Sequence, residues 1–450
     1  MRVVTKLGLF IALAFIATFT FMQLPAQAAA PPDKIQADSK RLYNSATGKT
    51  FQPRGANYVR LTTAAQGYAY HSTFEPGQYN SAAAGSFLTQ MQQYKYNTVR
   101  VFIDPGSTDA NTPHGIGRGM GTNDLVYGPY MDNFADFVQQ AATRGIYVLP
   151  SMDVFPQNSY YWGLVGTLRD SHSYKNVGGR NLSYLERGHV LAKAEYMKQF
   201  AAALTARVGA NETAILAYQP DNELFFEANQ PPFSQLSGTV QPIDGVVYDM
   251  AKPADRQQAA DASMVVYSQL IKEKLLESDA DALMTIGFFT NRAVGKTSYN
   301  GLTTSYCASN CPTNVDYRVP GRPAALSAWG KADFLDIHMY PNGHPYTPTS
   351  DLATIEEAWF QKPYIIGEFG AMKQVYNNDI RVAAGAMRDL QGATCREGAQ
   401  GWLFWTWDTY EKLASQELFF KMTEQNNTIG ASLSPIHRAN PCIQVHYVPR

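Results

Sequence analysis

The sequence carries no surplus of either charge. Its 37 Lys and Arg stand against 38 Asp and Glu, a formal net charge of −1. Binding to nucleic acid or to an anionic membrane surface favours a basic balance, so composition supports neither partner. Closely spaced metal ligands are missing too. The eight His are scattered, without the His-x-His or His-Glu-x-x-His pairs of a zinc site. Cysteine is scarce: Cys307, Cys311, Cys395 and Cys442 are the four present. A close pair followed by two scattered cysteines does not make a zinc framework. After Met22 no apolar run is long enough to cross a membrane. No internal repeat is evident, and no linker splits the chain.

The one long apolar run lies at the start. Arg2 and Lys6 precede the stretch from Leu7 to Met22, and Pro25-Ala26-Gln27-Ala28 follows. A charged segment, an apolar core and an A-x-A site predict a secretory signal over residues 1–28. Residues 29–450 are then one mature domain, and the compartment is oxidising. The cysteines fit that compartment: Cys307 with Cys311 would staple a local loop, and Cys395 with Cys442 would tie back the tail. Asn181, Asn211 and Asn426 open N-x-[ST] triplets, a motif too short to settle glycosylation.

Short runs rich in Val, Ile, Leu and Phe recur at 55–61, 98–104, 146–153, 214–223, 283–290, 334–340, 364–370 and 401–407. Continuous apolar runs suit strands buried on both faces. Helix-period segments lie between them, at 131–143, 190–206, 255–277, 352–360 and 379–390. Strands alternating with helices in this number predict a (β/α)8 barrel, an α/β fold with one catalytic domain. Two long insertions, 105–129 and 229–253, fall after the second and fourth strands, on the side where barrels place substrates. The "GIGRGMG" run, 115–121, does not join a strand tightly to a helix start and so fails as a phosphate loop.

Polar residues gather where the strands end. Arg100 lies in "NTVRVFID", Asn222 and Glu223 close "AILAYQPDNE", His338 and Tyr340 lie in "ADFLDIHMYP", Glu368 ends "PYIIGEFG", and Trp405 and Trp407 lie in "GWLFWTWD". The C-terminal ends of barrel strands converge on one mouth, where such residues read as catalytic. Two glutamates facing each other there are what glycosidic bond cleavage requires. One protonates the leaving oxygen, and the other attacks the anomeric carbon or activates water. A general acid needs a raised pKa. Leu224, Phe225 and Phe226 beside Glu223 are expected to provide the desolvation that raises it.

These pieces resemble glycoside hydrolase family 5, the cellulase and mannanase family of retaining barrels. "RGANYVR", "NTVRVF", "DNE", "DIHMYP", "IIGEFG" and "WTW" occur in the family's order from Arg54 to Trp407. The resemblance implies Glu223 as acid/base and Glu368 as nucleophile. It implies Asn222 on the sugar 2-hydroxyl, and Arg100 and Tyr340 holding Glu368. It places His338 in the site and Trp407 as the stacking platform. Trp405 has the same parity on the strand and is assigned one layer deeper, to the core. The implied enzyme is a secreted, monomeric glycosidase that cleaves β-mannan or β-glucan and needs no cofactor.

The chain also departs from the family. Leu224 stands where many members have proline, and Asp153 where many have a His at the end of strand three. Asp153 either contacts a sugar hydroxyl or caps its loop; Asp221 reads as a turn residue. Tyr160, Tyr161 and Trp162 are candidate sugar-stacking rings. Three rival readings stand beside the glycosidase: a metal-dependent hydrolase using Asp104, Asp153, His338 and Glu368, a glycan-binding barrel without catalysis, and a transglycosylase with the same residues. Polymer specificity and endo or exo action stay open.

Overall fold

The apolar runs pair side by side as parallel strands. The computed structural model describes residues 30–63, 69–106, 113–118, 125–296, 301–303, 311–343, 346–409, 412–413 and 416–443. The expected signal, residues 1–28, lies outside them. The first strand, Arg54–Tyr58, lies between the second, Thr98–Ile103, and the eighth, Trp402–Phe404. Beyond the second lies the third, Tyr147–Met152. Beyond the eighth lie the seventh, Tyr364–Phe369, the sixth, Phe334–Met339, and the fifth, Thr285–Phe289. Every pairing in this sheet is parallel.

Residues 215–219 take the fourth position. Leu216 and Gln219 donate backbone N–H to Val148 and Pro150 of the third strand, and Tyr218 donates to Leu283 beside the fifth. Thr285 donates back to Tyr218. Pro150 and Pro220 have no N–H to give, so this ladder is interrupted although both neighbours are engaged. The segment closes the circle, and the chain folds as a (β/α)8 barrel.

Helices run outside the strands, among them Ser81–Gln93, Gly128–Ala142, Arg187–Val208, Pro253–Leu276 and Ile380–Arg396. Side chains cap several starts: Asn80, Glu186 and Asp379 each accept from backbone N–H groups of the first turn. The helix expected over 352–360 is broken. Glu356 takes a left-handed φ of 60°, and it separates Pro348–Ala353 from the 3-10 turn Glu357–Trp359.

The barrel interior is graded along its axis. Its lower end is apolar: Leu149, Leu216, Leu283, Phe334, Ile365 and Leu403 pack together beneath an N-terminal hairpin of Ile35–Ala37 and Leu42–Asn44. Polar residues begin one layer above. The tail is tied to the first strand, where Arg54 donates to the carbonyls of Leu433 and Arg438. The expected Cys395–Cys442 disulfide is present. Cys311 is disulfide-bonded, and its expected partner Cys307 lies outside the described residues. Asn181 is fully buried, its amide donating to the carbonyls of Glu227, Gln230 and Pro231. A glycan cannot reach that triplet in the folded chain. Among the described residues no helix is long and apolar enough to cross a membrane.

Candidate active site

Alternation along the second strand turns Arg100 into the barrel, where it is fully buried. A buried guanidinium needs partners for its donors, and five side chains provide them. Nε donates to Gln219 at 2.8 Å. Nη1 donates to Asn57 at 2.9 Å and to Glu368 at 2.5 Å. Nη2 donates to Ser151 at 3.1 Å and to Asn222 at 2.6 Å. Arg100 thus links strands one, two, three and seven with the end of the fourth segment. Beneath it, Asp336 accepts from Gln219 at 2.6 Å and lies 3.5 Å from Arg100 Nε.

Glu368 sits above Arg100. Its Oε1 takes Arg100, and its Oε2 accepts from the Tyr340 hydroxyl at 2.6 Å. The register between strands six and seven shifts just before it, so that His338 pairs with Glu368 while Ile337 pairs with Ile366. The extra residue is Gly367. A Cβ there would lie 1.8 Å from Asp336 Oδ1, so only glycine lets the two strands approach. Such a bulge re-aims the next side chain, and here that side chain is Glu368.

His338, fully buried, stands between the acidic groups. Its Nδ1 lies 3.0 Å from Glu223 Oε1 and 3.5 Å from Glu368 Oε2, and its Nε2 lies 3.6 Å from Asp336. Burial pushes the imidazole down, but Glu368, Asp336 and Glu223 together raise it to about 10. His338 is therefore protonated at neutral pH. Glu223 responds to it. Burial pushes its carboxyl up, and the hydrogen bond and charge of His338, aided by Arg318 and Arg100, outweigh that and hold it below the usual carboxylate range. The expected upward shift is thus not found in the unliganded protein. The reason is His338, whose hydrogen bond and charge lead the influences that outweigh the desolvation; Phe226 meanwhile packs edge-on against Tyr184 and Phe233, and Phe225 lies under Arg180.

One oxygen from each glutamate and one His338 nitrogen lie within 4.8 Å of one another. That spacing could hold a cation, but the donors do not fit one. Glu368 Oε1 is already paired with Arg100 and Oε2 with Tyr340, and the Arg100 guanidinium repels positive charge. The two further ligands considered are engaged elsewhere: Asp104 with His114 at 3.0 Å and the Gly106 N–H at 2.7 Å, and Asp153 with Arg180 at 3.5 Å.

The two tryptophans lie the other way round from the expected arrangement. Trp407 is 1% exposed and packs edge-on against Phe87 and Tyr96 in the layer between strands and helices. It cannot be the platform. Trp405 instead forms a cluster with Val59 and Phe102 at the mouth, with Tyr340 packed against it. The eighth strand ends at Phe404, so strand parity no longer governs where Trp407 points. Asp153 is half exposed and pairs with Arg180 at 3.5 Å. Trp162 stands edge-on to Phe155 and His189 on the helix Ser159–Leu168. Neither hydrogen-bonds to the glutamates. Tyr161 is core, and Tyr160 packs edge-on to it.

Asn57, Ser151, Gln219 and Asp336 were not singled out in the sequence, yet they position Arg100 and Glu368. Gln219 was the visible signal: an amide inside an apolar run needs a buried partner. Asp221 is no plain turn residue. It is buried and accepts from the Tyr184 hydroxyl at 3.1 Å and from the Tyr267 hydroxyl.

No family model matches the chain, and no curated protein sequence matches it. Solved structures do. An endo-1,4-β-mannanase from Rhizomucor miehei aligns with a TM-score of 0.54 at 14% identity, over 91% of this chain and 100% of the other. An exo-β-1,4-mannosidase from Opitutaceae bacterium strain TAV5 gives 0.53 at 17% identity over 90% of this chain. The match spans 62% of that longer chain. An endo-β-1,4-mannanase from Thermotoga petrophila gives 0.50 at 14% identity, over 86% and 76%. Identities this low compare folds. At that level the likeness read from the sequence is borne out: the chain has the (β/α)8 barrel of these mannanases.

Proposed function

We propose that the protein is a secreted, retaining β-glycosidase that hydrolyses a β-linked polysaccharide or oligosaccharide, β-mannan or β-glucan, by double displacement. The observation that carries this reading is the pair Glu223 and Glu368, which face each other with carboxylate oxygens within 4.8 Å. Retaining enzymes hold their carboxyls about 5–5.5 Å apart, and inverting ones about 6.5–9.5 Å. Glu368, held by Arg100 and Tyr340, attacks the anomeric carbon. Glu223 gives its proton to the leaving oxygen and later takes one from water. Asn222, whose Oδ1 is fixed by Arg100, turns its amide donors to the sugar.

The acid draws on a stored proton. His338 Nδ1 holds one 3.0 Å from Glu223. A bound sugar removes the remaining water from Glu223, which favours its neutral form. The proton then passes from His338 to Glu223 as the bond to the leaving oxygen breaks. A transglycosylase would share these steps and differ in the acceptor.

The test is sugar release across β-mannans, β-glucans and xylan, with Glu368→Ala as control and the anomer of the first product read by NMR. Release of the retained anomer, lost in Glu368→Ala, is expected. An inverted first product, or an undiminished rate in the variant, would refute the reading.

A further inference from the structure

Among the described residues, the outer ring of helices has a gap. The helix Pro253–Leu276 has 24 residues, but the next one around the barrel, Pro323–Trp329, has 7. At about 1.5 Å per residue the second covers roughly 10 Å of a neighbour about 36 Å long. The face of the long helix that no described residue covers forms a groove of about 520 Å³, lined by Tyr248, Gln258, Asp261, Val265, Arg322 and Trp329.

Trp329 is 66% exposed there. Trp359, 73% exposed, stands before the seventh strand as Trp329 stands before the sixth. Those strands are paired neighbours, so both indoles lie at the barrel end opposite the glutamates. Large aromatic rings normally bury most of their area, and exposed apolar surface rimmed by polar groups marks an interaction site. The rim is polar and largely self-balanced: Arg322 chelates Glu356 at 2.6 and 3.1 Å and faces Asp261 at 3.5 Å. Such a rim gives little attraction to a polyanion. Flat indole faces receive the C–H faces of sugars, and amide, carboxylate, guanidinium and phenol groups match hydroxyls. A stable protein partner, in contrast, needs about 800 Å² on each side with an apolar centre.

We propose that this groove, with Trp329 as its platform, is a second glycan site, remote from catalysis, that holds a neutral β-linked polymer. The choice of a glycan rests on the glycosidase reading, and the test separates the two. Full-length Glu368→Ala protein, with and without Trp329→Ala, is bound to insoluble mannan and glucan in pull-down assays. In parallel, Trp329→Ala alone is assayed on insoluble polymer and on a short aryl oligosaccharide. Loss of one stacking contact is expected to weaken polymer binding about two- to tenfold and to slow insoluble-polymer hydrolysis, with the aryl substrate unaffected. Trp329→Phe, which keeps a flat ring, should recover most of the binding. Unchanged polymer binding in Trp329→Ala overturns the site. So does a change confined to self-association, read by size exclusion, since the face then belongs to a protein contact. If the wild type cleaves nothing yet binds polymer through Trp329, the glycosidase reading fails and the site stands.

Discussion

Alanine at Trp405 and at Trp407 should give opposite phenotypes. Trp407 is 1% exposed and wedged between Phe87 and Tyr96, with ring centroids at 5.5 and 6.0 Å. Truncating a buried Trp costs about 3–5 kcal/mol through lost transfer energy and the cavity left behind. Unfolding entropy is about 2.1 cal/mol/K per residue, or roughly 0.9 kcal/mol/K for 450 residues. Trp407→Ala should therefore lower Tm by about 3–5 °C. Its KM should change little at temperatures where it is folded, because the ring faces away from the mouth. Trp405 borders the mouth beside Phe102 and Tyr340. Trp405→Ala should raise KM about two- to tenfold, the worth of one stacking contact of about 0.5–1.5 kcal/mol, with the smaller loss of Tm. Thermal unfolding followed by near-UV circular dichroism, together with initial rates on the best polymer, gives both numbers. A raised KM at unchanged Tm in Trp407→Ala would refute the reasoning and restore the parity-based assignment.

Further outcomes are expected. Glu223→Ala should retain more activity on substrates with good leaving groups than on natural glycans; equal losses on both would argue against its role as acid. Asp221→Asn removes one of the two carboxylates, Asp221 and Asp153, that act on buried Lys193, already shifted down to about 8 by burial. Tm should fall and the rate should drop most on poor leaving groups, while a uniform loss would mean a purely structural role. His338 has a folded pKa of about 10 against an ordinary 6.5. Its protonation thus stabilises the fold fully below pH 6.5, and that contribution is lost as pH rises toward 10. The Tm gap between wild type and His338→Ala should narrow over that window, and a constant gap would contradict it. Reducing Cys395–Cys442, which closes a separation of 47 residues, should cost about 2–4 kcal/mol, visible as a lower urea midpoint.

The sequence was most legible where the backbone is regular. Their position at strand ends put Arg100, His338 and Tyr340 at one mouth, and the structure keeps them there: strands two and six carry Arg100 and His338, and Tyr340 follows Met339, the last residue of strand six. It misled at the eighth strand, which stops at Phe404, three residues short of the Trp407 that the Trp-x-Trp spacing assumes. Environment was harder to read than position. Phe225 and Phe226 follow Glu223 in the chain, yet a bent backbone sends their rings toward Arg180, Tyr184 and Phe233, and a residue 115 positions away, His338, sets the acid's pKa. The polar layer under the site escaped notice for a related reason: Asn57, Ser151 and Gln219 carry no charge and lie far apart in the chain, and only the closed barrel brings them to one guanidinium.

The cluster's charge has one further meaning. Glu223, Asp336 and Glu368 supply three negative charges, and Arg100 and His338 supply two positive ones, which leaves 3 − 2 = 1 negative charge. Moving a proton from His338 to Glu223 changes where that charge lies and not its size. A neutral sugar ring entering the barrel gains little from it. On the proposed glycosidase reading, the ring takes on positive charge as the glycosidic bond stretches, and the field of the mouth then acts on it. Ground state and transition state are told apart by charge alone, before any hydroxyl is recognised.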